Sequence, residues 1–350
     1  MTQRELAAAI REQLGWCERL GSPLYHTLLT GLADDLDASG VSWRILEPHA
    51  NDPPRSLLPL RFLGAVHRMV LEGRLAKLAR YYPSAGGDGA PAAAWSALHQ
   101  TMREHEALLR DSIPSSVQTN EVTRSCALLP GFLQIASTVR LPLRLLEIGA
   151  SAGLNLRWDR YRYETPGGAW GPADSSVVFK DSLASKPPGF DLPVTIAERR
   201  GCDLNPIDPT TPDGRLTLLS FVWADQAERF RQLDNAIELA RQVPVTLERA
   251  SAIEWLERQL ADARPGVATV VYHSILLLYF SRDEREKLAA LLERAGERAT
   301  RAAPLAWLSM EPGEKETDVH LTLWPGGERR LIATSGYHGR NVIPVAENSC

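Results

Sequence analysis

A chain of 350 residues with 44% hydrophobic content can bury a full core and is long enough for two domains, or for one domain with a large extension. A formal net charge of -4 and a pI near 6.1 exclude the basic excess that a non-specific grip on nucleic acid or anionic membrane requires. A small-molecule substrate is therefore expected, with no nucleic-acid partner and no membrane partner, and the oligomeric state is left open.

Cys17, Cys126, Cys202 and Cys350 lie too far apart for a zinc knuckle and are too few for a disulfide scaffold. The N-terminus carries acid and base early, and no apolar run approaches the roughly 20 residues of a membrane span. Reduced thiols and a cytoplasmic location are the simplest expectation. His26, His67, His99, His105 and His320 form no metal-ligand spacing, so no metal is expected.

In chain order, apolar residues recur at helical spacing from Glu5 to about Leu36, broken at Gly21-Ser22-Pro23, where Ser22 can cap a second helix and Pro23 suits its first turn. Further helical stretches cover about Leu57 to Tyr81 and Ala92 to Leu109, separated by a Gly/Pro-rich loop from Ser84 to Pro91. Residues 1–114 therefore read as a helical N-terminal region. From 115 onward the pattern changes. Thr119 or Asn120 can cap a helix to about Val139, Leu143 to Ile148 reads as a buried strand, and strands and helices then alternate. Strands are expected near Val194 to Ala197, Val245 to Glu248, Val267 to Ser274 and Pro304 to Met310. Helices are expected near Gln226 to Gln242, Ile253 to Ala263 and Arg282 to Thr300. Such alternation predicts an α/β domain with a mostly parallel, Rossmann-like sheet. Only Glu311 to Asp318 separate the next two strands, too few for a helical crossover, so 319–324 and 329–334 should form an antiparallel edge turned at Pro325 to Gly327.

The chemistry centres on Leu145-Leu-Glu-Ile-Gly-Ala-Ser-Ala-Gly-Leu-Asn155, a strand ending in an acid and entering a glycine turn before an expected helix. Gly149 and Gly153 let backbone approach a ligand, and a following helix N-terminus offers N–H groups. The spacing is not the G-x-G-x-x-G of a dinucleotide fingerprint. The acid-first turn resembles the first motif of class I S-adenosylmethionine-dependent methyltransferases. That resemblance implies S-adenosylmethionine as cofactor, held by Glu147, Gly149, Ser151, Gly153 and Asn155. It also implies a second acid, here Asp203 in Arg200-Gly-Cys-Asp-Leu-Asn-Pro206, for the ribose hydroxyls, and a third motif near Ser251. Three features depart from the family: Ser151 replaces the middle glycine, Asp203 lies 56 residues after Glu147 where about 20 is usual, and an insertion rich in Tyr, Pro and Gly spans about 161–193.

Over nearly its whole length the chain also resembles a bacterial family catalogued as domain of unknown function 2332. The resemblance rests on Gly21-Ser-Pro-Leu-Tyr25, Gln118-Thr-Asn-Glu121, Glu147 to Asn155, Asp159-Arg-Tyr-Arg-Tyr163, Val222-Trp-Ala-Asp-Gln226, His273-Ser274 and His338-Gly339. It names no activity.

His273 at a strand end, Glu311 ending the next strand, and His338 returning to the same edge are the candidate catalytic groups, each able in principle to accept a substrate proton. Gln118, Asn120 and Arg124 at a helix start, and Trp223 with Asp225 before another, are candidate substrate contacts, with ordinary helix capping the competing role. The leading expectation is methyl transfer from S-adenosylmethionine to a small molecule covered by the N-terminal helices and the insertion. The alternative is a non-catalytic ligand-binding or scaffold protein that kept the fold.

Overall fold

The computed structural model describes residues 1–53, 56–88, 90–114 and 116–345. Cys350 and the expected domain start at Ser115 lie outside the described residues. The chain divides into two compact units, one of residues 1–119 and 211–234, the other of 120–210 and 235 onward. The division expected near 114 therefore misses a segment: residues 211–234 return to the helical unit. The last of the three crossings between units, at 234/235, falls inside the helix Ala227–Ala240.

The first unit is helical. Helices Gln3–Arg19 and Pro23–Asp37 form the expected hairpin, with Thr2 and Glu5 closing a capping box and Ser22 Oγ accepting from Tyr25 N–H. The expected helix from Leu57 to Tyr81 ends instead at Leu71, before Gly73 at φ 74, and resumes over Ala76–Ala79. The stretch from Ala92 likewise splits into Pro91–Glu104 and Glu106–Asp111. A helix not foreseen, Pro212–Ser220, packs on Leu58–Leu71. The returning segment is tied in by side chains. Asp225 accepts from Ser22 Oγ at 2.7 Å and Leu24 N–H at 2.9 Å, Gln226 donates to Leu20 C=O at 2.9 Å, and Trp223 stacks on Tyr25 with centroids 5.3 Å apart. Asp225 thus caps the helix Pro23–Asp37, not the one it precedes. Buried His67 bridges Ser220 C=O and Ser84 Oγ, and desolvation pushes its imidazole down to about 4.

The second unit is built on an eight-stranded mixed sheet. In chain order its strands and those of the insertion are β1 (Leu143–Ile148), β2 (Arg162–Thr165), β3 (Gly168–Trp170), β4 (Val178–Lys180), β5 (Ile196–Asp203), β6 (Thr246–Arg249), β7 (Ala268–Ser274), β8 (Leu305–Pro312), β9 (Thr317–Trp324), β10 (Arg329–Ser335) and β11 (Ile343–Pro344). The large sheet runs β11-β10-β9-β8-β7-β1-β5-β6. Its five strands from β6 to β8 are parallel, and β9, β10 and β11 extend it as an antiparallel meander. The antiparallel edge is as expected. Buried alternation places Leu146 and Ile148 of β1, with Val271 of β7, against helices Ala252–Gln259 and Arg282–Glu297 through Trp255, Leu256, Leu288 and Leu292. The helix Arg124–Val139 packs on β8, β9 and β10.

The insertion is a small sheet of its own, ordered β3-β2-β4. Phe132 stacks on Trp158 at 4.3 Å, and Trp158 on Trp170 at 5.2 Å, joining the helix Arg124–Val139 to this sheet. No helix among the described residues is long and apolar enough to cross a membrane.

Candidate functional site

In the parallel part of the sheet, β1 lies between β5 and β7, so the chain winds outward in one direction through β5 and β6 and in the other through β7 and β8. Open α/β sheets place their ligands at such a reversal, outside the carboxyl ends of the strands. Here those ends carry Gly149 to Gly153 after β1, Asp203 closing β5, Ser251 after β6, Ser274 closing β7 and Glu311 near the end of β8.

The turn after β1 keeps a glycine-like backbone without its middle glycine: Gly149, Ser151 and Gly153 have φ of 67, 51 and 65. It is fastened to β5. Ser151 N–H donates to Asp203 Oδ2 at 2.9 Å and Asn205 N–H to Asp203 Oδ1 at 2.8 Å, while Ile207 N–H reaches Ser151 C=O at 3.1 Å. The insertion therefore does not separate the acid from the turn. Each Asp203 oxygen takes one of these bonds, leaving acceptor capacity on both, and the residue is partly exposed.

The segment after the turn differs from expectation. Leu154–Arg160 is a 3-10 helix of seven residues, and its first amide, Leu154 N–H, donates to Asn120 Oδ1 at 2.9 Å. Asn120 therefore caps this helix and not Arg124–Val139, whose N-cap position is Thr123. The N–H groups expected to be bare are thus partly taken, Leu154 N–H by Asn120 and Ser151 N–H by Asp203, and buried Arg157, Tyr161 and Tyr163 brace the turn through its carbonyl groups. Arg157 donates to Gly153 C=O at 2.8 Å and Val243 C=O at 2.8 Å, Tyr161 to Leu154 C=O at 2.6 Å, and Tyr163 to Trp158 C=O at 2.8 Å. Asp159 pairs with Arg199 through both oxygens at 2.5 and 2.7 Å. The Asp159-to-Tyr163 motif is thus a brace. Among the described residues, two buried polar atoms at the turn have no hydrogen-bond partner, Ser151 Oγ and Asn155 Oδ1. Asn155 Nδ2 reaches Glu121 C=O at 3.2 Å.

Glu147 faces the Phe132 side of the sheet and is buried, with Tyr272 Oη donating to its Oε2 at 3.3 Å. Burial pushes its carboxyl up to about 8, and the hydrogen bond from Tyr272 only partly opposes this. At neutral pH it is mostly a neutral acid. Gly149 meets a neighbour on its open side: a Cβ there would lie 2.5 Å from Leu276 Cδ1.

Leu276 belongs to the segment after β7, and Glu311 pins that segment. Glu311 Oε1 accepts from Leu276 N–H at 2.8 Å and Leu277 N–H at 3.3 Å, and its Oε2 from Leu277 N–H at 3.2 Å. Between them and the strand, Ile275 is held at φ 52, a left-handed conformation that costs a β-branched residue about 1–3 kcal/mol. His273 is fully buried; its Nδ1 lies 2.7 Å from Glu311 Oε1 and its Nε2 receives Trp307 Nε1–H at 3.0 Å. Both ring nitrogens are engaged by the protein.

Arg124 donates to Ser274 C=O at 3.4 Å and to Tyr337 C=O at 3.2 Å, joining the end of β7 to the 337–339 loop. Partly exposed His338 lies in that loop, whose Gly339, at φ 74, fits so closely that a Cβ would meet Thr123 C=O at 2.3 Å. Ser251 occupies the N-cap position of Ala252–Gln259 with no side-chain capping bond, next to Ala250, whose N–H reaches Asp203 C=O at 3.0 Å. The structure thus gathers Glu147, Gly149, Ser151, Gly153, Asn155, Asp203 and Ser251 around one turn, and His273, Glu311, Arg124 and His338 around the end of β7. Gln118, Trp223 and Asp225 belong to the helical unit, where Gln118 donates to Ser116 Oγ at 3.1 Å.

Sequence reasoning missed Tyr272, Arg157, Leu276 and Trp307. Only Trp307 left a usable signal: Trp307 and Glu311 share a face of β8 by two-residue alternation, either side of Ser309, the register partner of His273. Among the described residues no group of three or more His, Cys, Asp and Glu side chains is arranged to hold a metal ion.

The model of a family described as an uncharacterised protein conserved in bacteria (DUF2332) matches residues 7–343. No curated protein and no solved structure matches the chain.

Proposed function

The chain belongs to this bacterial family, DUF2332, and from its residues we propose that it is an S-adenosylmethionine-dependent methyltransferase acting on a small molecule. The observation that carries this reading is the bond from Ser151 N–H to Asp203 at 2.9 Å, which joins the glycine turn to a strand-end carboxylate across the insertion. A carboxylate held by one bond at each oxygen and still able to accept a further one at each suits the two vicinal hydroxyls of a ribose. The unpartnered Ser151 Oγ and Asn155 Oδ1 fit a polar ligand at the turn, since a buried polar group without a partner costs about 1–3 kcal/mol.

In this reading Asp203 holds the ribose, the turn from Gly149 to Gly153 receives the amino-acid end, and Ser251 lies beside the adenine. The bound sulfonium supplies an electrophilic methyl group. The protein aligns the acceptor and takes its proton, which is worth more here than any activation of the methyl donor.

Isothermal titration with S-adenosylmethionine and S-adenosylhomocysteine tests the proposal. Both should bind the folded protein, and Asp203→Asn should weaken them by about 10- to 100-fold, as expected for loss of a charged hydrogen-bond partner. Absence of heat with both ligands would remove the proposal. The second reading, a non-catalytic scaffold, draws support from Leu276 seated on Gly149 and Asn120 seated on Leu154 N–H, both of which the chain supplies to its own turn.

A further inference from the structure

The side chains at the end of β7 form a directed chain whose direction is set by donor chemistry alone. An indole N–H can only donate, so Trp307 Nε1–H, 3.0 Å from His273 Nε2, fixes that nitrogen as an acceptor. A neutral imidazole with Nε2 unprotonated carries its proton on Nδ1, which therefore donates to Glu311 Oε1 at 2.7 Å. Strand geometry makes the chain possible. His273 is paired with Ser309, and Trp307 and Glu311 lie two residues to either side on the same face of β8, so one ring reaches both.

The consequence for Glu311 is asymmetric. Among the described residues, Oε1 accepts from His273 Nδ1, Leu276 N–H and Leu277 N–H, whereas Oε2 accepts only the longer bond from Leu277 N–H at 3.2 Å. The same carboxylate holds the Ile275 turn that seats Leu276 on Gly149, so its orientation is coupled to the turn after β1.

Resting on the methyltransferase reading, we propose that Glu311 is the group that receives the acceptor's proton, on Oε2, that Trp307 and His273 are positioning residues for it, and that the acceptor is an amine. His273 has no ring nitrogen left to serve as the base. A carboxylate is a weak base, suited to a proton made acidic by the reaction itself. As the nitrogen–carbon bond forms, the carbon–sulfur bond breaks with its electron pair left on sulfur, and the proton shed by the alkylated nitrogen passes to Glu311 Oε2, which hands it on to water. An aliphatic hydroxyl would demand a stronger base.

The test has two readouts on the full chain. Long-range proton–nitrogen NMR correlation, with His273 assigned from His273→Asn, should find the Nδ1–H tautomer in the wild type and a mixed or Nε2–H population in Trp307→Phe. An Nε2–H tautomer in the wild type overturns the positioning claim whether or not any cofactor binds. Release of S-adenosylhomocysteine is then followed with S-adenosylmethionine and a panel of primary amines and matched alcohols. Amines should react and alcohols should not. Glu311→Gln should lower kcat by about 100-fold or more with KM for the amine little changed, the range for loss of a general base. His273→Asn, whose amide can still donate to Glu311, should retain more activity than His273→Ala. Turnover of alcohols alone, or of nothing in a protein that binds the cofactor, overturns the amine assignment. Failure of the cofactor to bind overturns the methyltransferase reading and the amine assignment with it, while the NMR result still decides the tautomer.

Discussion

At the scale of single residues, two buried titratable groups give stability opposite dependences on pH. The Glu147 carboxyl is raised from 4.5 to about 8 by burial, so the folded chain holds a proton that the unfolded chain releases above 4.5. Its contribution is complete below pH 4.5 and is lost as pH rises to about 8, on the order of 5 kcal/mol in all at about 1.4 kcal/mol per pH unit. Urea midpoints measured from pH 5 to 8 should fall more steeply for the wild type than for Glu147→Gln, which mimics the neutral acid. A wild type and variant with parallel slopes would mean that Glu147 is ionised in the fold. His67 acts the other way. Its imidazole is lowered from 6.5 to about 4, so its contribution is complete above 6.5 and is lost as pH falls towards 4. His67→Gln should flatten the acid limb of the same urea series and leave the alkaline limb unchanged.

At the scale of elements, the fold rests on a few close approaches. Gly339 lets the 337–339 loop lie against the backbone at the start of Arg124–Val139, and Gly339→Ala should cost about 2 kcal/mol or more in chemical unfolding, since a Cβ would meet backbone at 2.3 Å from a left-handed residue. A change below about 0.5 kcal/mol would show that the loop can withdraw at little cost. Legibility in the sequence obeys the same logic. The strands β1, β7 and β8 and the antiparallel edge are readable because their alternation and turn residues are local. The 3-10 helix after Gly153 is not, because Leu154 N–H is taken by Asn120, 34 residues earlier, and Arg157 turns back onto Gly153. Asn120 looks like the cap of the helix it precedes for the same reason. The acid and the turn are each visible as residues, but the bond that unites them spans a difference of 52 positions and leaves no pattern to find.

At the scale of the whole molecule, the return of residues 211–234 to the helical unit changes where the chain can be divided. Composition suggests a boundary near 114 because helix-rich sequence gives way to alternating strands there. It cannot reveal that Trp223 and Asp225 serve Tyr25, Ser22 and Leu24 some 200 positions away. A fragment of residues 120–350 would strand Trp223 and the Pro212–Ser220 helix without their partners. It should therefore bind a hydrophobic dye and aggregate, whereas full-length protein should not; a well-behaved, dye-negative fragment would show that these contacts are dispensable.

The most direct measurement of the cofactor account is amide hydrogen exchange of the full chain with and without saturating S-adenosylhomocysteine. Bound S-adenosylhomocysteine should protect the segments around 149–155, 203–207 and 250–252, and also 275–280 because Leu276 rests on Gly149. Unchanged exchange in all four segments, or protection only elsewhere in the chain, would contradict it.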